Sequence, residues 1–240
     1  LYDLAHFSLS DMTRCGIELR KLGTGASSME DVADRIVRRL FGALRSSSGE
    51  PACALVRMFV TLPYSGLEPG QQAFARGLLS RDDVPPEMKC LTLLATAGEA
   101  PPWNSRKTSR EHQALPLLSE DSVTRSPMIA QLIRQLGIEI GTLIAPRPSV
   151  MVDAMEHTFN VFHVPNAVGS PYIPAQREFV IPYGVQSVLG FGGLLAPGEL
   201  FATILFSRTP IPRDVADLFK TLALNVKVAM LPFAGARVFS

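Results

Sequence analysis

The 240-residue chain is short of cysteine, of long apolar runs and of any concentration of charge. Its three cysteines, Cys15, Cys53 and Cys90, are odd in number and lack Cys-x-x-Cys spacing. That argues against a disulfide framework and a zinc site, and it fits a reducing cytoplasm. No uninterrupted apolar stretch is long enough to span a bilayer, and the N-terminus lacks the basic flank and apolar core of a signal peptide. Lys and Arg number 23 against 22 Asp and Glu, the net charge is +1, and no basic stretch is longer than Arg38-Arg39. Nothing here recommends nucleic acid as a partner.

Catalytic signatures are equally scarce. No Gly-x-Ser-x-Gly elbow occurs, and Ser187, in Gly184-Val-Gln-Ser-Val, does not qualify as one. Gly190-Phe-Gly-Gly193 invites comparison with a dinucleotide fingerprint, but that motif must follow a strand and open a helix. These glycines fall inside an expected hairpin, where they permit curvature or close backbone approach. His157 and His163 would stand about 20 Å apart on a strand, too far to share a metal ion, and His6 and His112 have no evident partners. The expectation is a domain without catalytic or metal chemistry of its own.

What is present is an apolar chain, 47% hydrophobic, with no long polar linker, which reads as one domain over residues 1–240. Opening at Leu1 without Met and closing on Ser240 just after a helix, it reads as part of a larger protein. Leu9, Met12, Cys15, Leu19 and Leu22 recur at steps of three and four, an amphipathic helix with Ser8 or Ser10 as cap and Gly23 as stop. Ser28, with Asp31 three residues on, opens a second helix from Met29 to Leu44. Cys53–Val60 and Lys89–Thr96 are rich in β-formers and read as strands; Gln71–Leu79 reads as a short helix. Gly98–Leu118 carries three prolines and the only Trp, and reads as a long loop. Ser126-Pro127 starts a helix in which the Ser caps, and Phe159–Val164 alternates as a strand. Val185–Leu195 and Glu199–Ser207 pair across Ala196-Pro197-Gly198 as a hairpin, and a helix from Arg213 closes the chain. The sum is an antiparallel-sheet α/β layer fold of the α+β kind.

This order of elements resembles a GAF domain, the sensory relative of the PAS domain. The likeness rests on Met29–Val60, on Gly184-Val-Gln-Ser-Val-Leu-Gly-Phe-Gly-Gly-Leu-Leu195 with its return strand, and on the closing helix Arg213–Leu231. The resemblance implies a central antiparallel sheet with N- and C-terminal helices packed on one face and a ligand cavity on the other. It further implies a cytoplasmic sensor module of a bacterial two-component histidine kinase or cyclase regulator, with the output domain elsewhere. The middle, Gly98–Pro182, is longer and richer in proline than the family pattern, and no bilin-attachment cysteine or cyclic-nucleotide motif maps onto it. The ligand and any cofactor are therefore left unnamed.

Candidate ligand-binding residues follow from loop composition and from the strand around His163. They are Trp103, Tyr172, Arg177 and Tyr183 on loops, Phe159, Val161 and His163 on one strand, and Phe191 among the glycines. His163 has two readings: a hydrogen-bonded core histidine, or a pocket residue and even an axial haem ligand. Cys53 and Cys90 are expected as free buried thiols, or as a redox pair if their Cα atoms lie within about 7 Å. Residues 1–26 are expected to act as a signalling and dimerisation helix, because the stripes of Leu9–Leu22 and Val215–Met230 can serve a second copy as well as the core. The alternative function is a ligand-free dimerisation domain; a small-molecule enzyme ranks behind both.

Overall fold

Apolar residues at steps of three and four put one oily stripe on each of three helices: α1 (Leu9–Lys21), α2 (Met29–Ala43) and α7 (Arg213–Met230). The computed structural model describes residues 1–80, 83–145, 160–196, 198–235 and 237–240. Ser8 caps α1, accepting from the Asp11 backbone N–H while the Asp11 carboxylate accepts from the Ser8 backbone N–H. Ser28 caps α2 through the Asp31 N–H at 3.1 Å. Of the two serines open as the α1 cap, Ser8 is the one used. Ser126 makes no side-chain cap bond, although Pro127 does open α5 (Pro127–Gln135).

The strands are β1 (Tyr2–Asp3), β2 (Leu44–Arg45), β3 (Cys53–Pro63), β4 (Lys89–Gly98), β5 (Ala114–Pro116), β6 (Val161–Val164), β7 (Ser187–Leu195) and β8 (Glu199–Ser207). β1 and β2 form a short parallel pair; the others form one six-stranded sheet in the order β5-β4-β3-β8-β7-β6, antiparallel throughout. β3 is thus central, and it runs past Val60 to Pro63 because β4 keeps pairing with it there. The segment expected as one long loop contains a 3-10 turn, Pro101–Asn104, and the edge strand β5. Three residues ending in Pro116 carry no readable period, and a proline is tolerated at a sheet edge.

Strand alternation sorts the sheet into two faces. Val56, Met58, Val60, Phe191, Phe201 and Leu205 pack with α1, α2 and α7. Leu55, Phe59, Leu93, Phe162 and Ile204 point the other way, under Leu132, Ile133, Leu136, Ile173 and Val180 from α5 and the loops. The N- and C-terminal helices therefore share one face, the layering that the GAF resemblance implied. α1 and α7 run parallel: Phe7 packs on Phe219 with centroids 5.1 Å apart, Gly16 adjoins Asn225, and Gly23 lies against Ala229. In the β7–β8 hairpin a side chain at Gly190 would come within 3.0 Å of Leu132, and one at Gly192 would collide with the Phe201 carbonyl. Close approach, rather than phosphate binding, accounts for both glycines. The Pro197 corner of the hairpin lies outside the described residues.

A buried arginine fastens the sheet edge. Arg106 bonds the Glu30 carboxylate through Nε and Nη2, the latter at 2.8 Å, and Glu68 through Nη1 at 2.7 Å. Its guanidinium also lies 4.8 Å from the centre of the Phe239 ring, and the Ser240 backbone N–H donates to Glu30. Burial opposes ionisation of Glu30, but the Arg106 and Ser240 bonds outweigh it and hold its pKa below the ordinary value. The stabilisation from Glu30 is therefore present above the ordinary carboxylate range and lost as pH falls through the lowered pKa. Arg106→Ala is expected to cost about 3–5 kcal/mol, because it strands Glu30 without its cation. Urea titrations at neutral pH would show the drop, and repeated near pH 4 they would show the gap between variant and parent narrowing.

Candidate functional site

Arg57 is the one charged residue in β3, and only 7% of it is exposed. It belongs to the loop-bearing face, between Leu55 and Phe59 along the strand, with Thr96 of β4 and Ile204 of β8 directly opposite. Nη2 donates to Ser109 Oγ at 3.2 Å, and Nη1 lies 3.4 Å from His112 Nδ1. Nε has no acceptor, and the neighbouring Thr96 hydroxyl, on a residue 1% exposed, has no partner either. No carboxylate among the described residues forms an ion pair with this guanidinium. Burial pushes the Arg57 pKa down to about 10, with the charge of Glu111 acting weakly in the other direction. At neutral pH the group is still a cation, held in an apolar layer.

Ser109 and His112 reach Arg57 from the segment that follows Arg106. Gln113 Nε2 donates to the Ser109 carbonyl at 2.7 Å, and His112 adopts a left-handed backbone, φ 60°, which is uncommon for a residue with a side chain. Desolvation and then the Arg57 charge lower the His112 pKa from the ordinary histidine value, although half of the side chain is exposed. The same segment, through Arg106, Lys107 and Gln113, walls a 170 Å³ hollow that reaches Leu93 on the loop-bearing face. Beyond Leu55 the face turns aromatic. Trp103 packs on Tyr183 at 4.6 Å and on Phe179 at 5.5 Å, and Phe179 packs on Phe206 at 5.0 Å. Phe206 is the cross-strand partner of Leu55, which joins this cluster to the Arg57 neighbourhood.

The residues singled out from sequence do not converge. Trp103 and Tyr183 come together on the loop-bearing face. Val161, His163 and Phe191 lie on the opposite face, where Phe191 is fully buried 5.4 Å from Phe219. Tyr172 and Arg177 are exposed on the outer loop, and Phe159, like His157, lies outside the described residues. His163 Nε2 bonds the Ile211 carbonyl at 2.9 Å, and its backbone N–H donates to Gln135 Oε1. With that nitrogen engaged on the α7 side, the geometry does not fit an axial haem ligand. Cys90 stands opposite Leu62, about 30 Å along the strand pair from Cys53, so the two cannot form a disulfide. Both thiols are buried and pushed up to about 12 by that burial. Sequence reasoning passed over Arg57, Thr96 and Ser109 and left His112 without a partner. The available signal was a lone charge inside an otherwise apolar strand.

The strand order, with the terminal helices on one face and loops over the other, defines an α+β domain built on one antiparallel sheet. No protein-family model matches the chain, and no curated protein matches it in sequence. Among solved structures it is similar to the GAF domain of an Acinetobacter phosphoenolpyruvate-protein phosphotransferase, with TM-score 0.45 and 10% identity over 98% of this chain and 100% of that one. It is also similar to the chromophore-binding domain of the R. palustris bacteriophytochrome RpBphP3, with TM-score 0.42 and 10% identity over 95% of this chain and 63% of that one. A third is the Stigmatella aurantiaca phytochrome photosensory core module, with TM-score 0.41 and 12% identity over 94% of this chain and 37% of that one. Among the described residues no helix is long and apolar enough to cross a membrane, and no three His, Cys, Asp or Glu side chains cluster as metal ligands.

Two stability measurements probe this geometry. Arg57→Met removes a buried charge that no carboxylate neutralises, and is expected to stabilise the empty protein by about 1–3 kcal/mol in urea unfolding. Loss of stability instead would mark Arg57 as a structural group. For His163, burial lowers the pKa against the opposing Ile211 bond, so the unfolded state takes up its proton first. Stability is then full above about pH 6.5 and falls as pH drops from there to the folded-state pKa. His163→Gln should flatten that part of the pH–stability curve.

Proposed function

We propose that this chain is a regulatory domain that senses a small molecule on the loop-bearing face of its sheet. Over residues 1–240 it serves as one module of a larger cytoplasmic signalling protein of the bacterial two-component type. The observation that carries this reading is Arg57, a buried cation with an unfilled Nε beside an unfilled Thr96 hydroxyl. Folding an unneutralised charge into an apolar layer costs stability, and such a cost persists where function uses the group. Binding is favoured over catalysis because the niche lacks a coupled nucleophile and base: Ser109 Oγ bonds the Glu111 carbonyl and Arg57, not His112. Native mass spectrometry of the gently purified protein tests this. A retained non-covalent mass that Arg57→Met releases supports the reading, whereas a protein empty in both forms, with Arg57→Met unchanged in stability, would sink it.

A second reading, dimerisation, is favoured by one surface. Ile17 and Leu224 are 52% and 48% exposed, and they flank the Gly16–Asn225 contact where α1 and α7 meet. Two such helices offer a ridge on which a second copy bundles, with residues 1–26 as the signalling element. Light scattering should give a dimer for the parent and a monomer for the Ile17→Glu, Leu224→Glu double variant. A parent monomeric at all concentrations would remove this reading while leaving the sensor intact.

A further inference from the structure

The geometry points to a monocarboxylate with a small apolar body as the ligand of the Arg57 niche, bound through Arg57 Nε and Nη2 with the Thr96 hydroxyl donating to one of its oxygens. The inference rests on the reading of this face as the sensing face and names its ligand class.

Three observations converge on it. The first is hydrogen-bond geometry. On a guanidinium, the Nε–H and a neighbouring Nη–H point the same way and match the two oxygens of a carboxylate, a pairing stronger and more directional than a single bond. In this niche Nε is unfilled, Nη2 has spent only one of its hydrogens, on Ser109, and Thr96 is the direct cross-strand partner of Arg57. Opposed residues of a strand pair hold their Cβ atoms about 5 Å apart, so one ligand oxygen can meet both groups.

The second is charge. A single cation in an apolar layer balances a single negative charge. A phosphate dianion would stay half uncompensated there, and Glu111, the one side-chain charge among the described residues felt by Arg57, has the same sign as the ligand. Arg106 brings no surplus, since Glu30 and Glu68 already neutralise it.

The third is the surroundings. Leu55, Phe59 and Ile204 flank Arg57 on the same face, and the Trp103, Phe179, Tyr183 and Phe206 cluster continues from Leu55. These make the surroundings of Arg57 apolar, and they offer no second cation to a second carboxylate. The Ser109–His112 segment covers Arg57 from the loop side, with His112 Nδ1 3.4 Å from Nη1.

The test is thermal-shift and calorimetric titration of the full chain with acetate, isovalerate and phenylacetate, beside phenylacetamide and inorganic phosphate as controls. Isovalerate or phenylacetate should raise the melting temperature and bind at least about 10-fold more tightly than phenylacetamide, given what hydrogen bonds to charged groups contribute. Arg57→Gln should lose that preference, Arg57→Lys should recover part of it, and Thr96→Val should weaken binding while leaving the fold and melting temperature of the free protein near the parent. Phosphate binding as tightly as the carboxylates, or carboxylate binding that survives Arg57→Gln, would overturn the assignment. If no carboxylate binds but native mass spectrometry retains a neutral or multiply charged compound, the ligand class is wrong and the sensor reading stands. If no probe binds and the protein is also empty, both fail.

Discussion

The ion cluster around Arg106 is the constraint on which the rest of the site depends. One guanidinium ties the first turn of α2 through Glu30, the start of α3 (Pro69–Leu79) through Glu68, and the chain end through Phe239 and the Ser240–Glu30 bond. Charges this deeply placed are held only when every partner is present, because each would otherwise face a poorly polarisable surrounding. The segment after β4 has little regular structure with which to hold itself. Arg106 supplies the anchor, and the short stretch beyond it then delivers Ser109 and His112 to Arg57 on the face of the sheet.

Arg57 and Arg106 are both buried, and their surroundings act on them in opposite senses. Burial alone would lower both pKa values. At Arg106 the two carboxylates reverse the shift and carry it above the ordinary value, whereas at Arg57 the lowering stands, pushed to about 10. A satisfied cluster is what a fold builds to hold itself together. A cation with an unfilled donor, beside an unfilled hydroxyl, contributes nothing comparable to stability. That contrast sets Arg57 apart from Arg106 on electrostatic grounds alone.

Much of the architecture was legible along the chain because its signals are periodic and local. α2 announces itself by its Ser28 cap and apolar stripe, and β7 and β8 by two β-prone runs around a turn. The two-residue strands β1 and β2, the edge strand β5 and the π-helical turn Gln176–Val180 are too short or too irregular to carry a period. The site was less legible, for a different reason. Alternation shows that Val161 and His163 share a face, but not which face meets the helices and which the loops. That depends on β6 pairing with β7 and on α7 lying beneath both. Arg57 was visible as a charge in an apolar run, yet its neighbours arrive from Thr96, Ser109 and His112, contacts that no local pattern encodes.

The placement of the niche also bears on how an occupant would be felt elsewhere. A ligand shifts an equilibrium only by the difference in its affinity for two arrangements, so the question is which element has two. The helix-bearing face is a poor candidate, being packed by large side chains such as Phe191, Phe201 and Phe219 with almost no exposure. The Ser109–His112 turn is a better one. Its contacts with Arg57 are long, 3.2 and 3.4 Å, and the left-handed conformation at His112 carries a strain of about 1 kcal/mol or more. An anion on Nε and the free Nη2 hydrogen would leave the Ser109 bond in place, so a second arrangement of this segment would begin at the longer His112 contact. Arg106, at the other end of the same segment, grips the first turn of α2 and the chain end. Through Arg106 the segment is joined to the layer that contains α1 and α7 around the sheet edge rather than through the sheet.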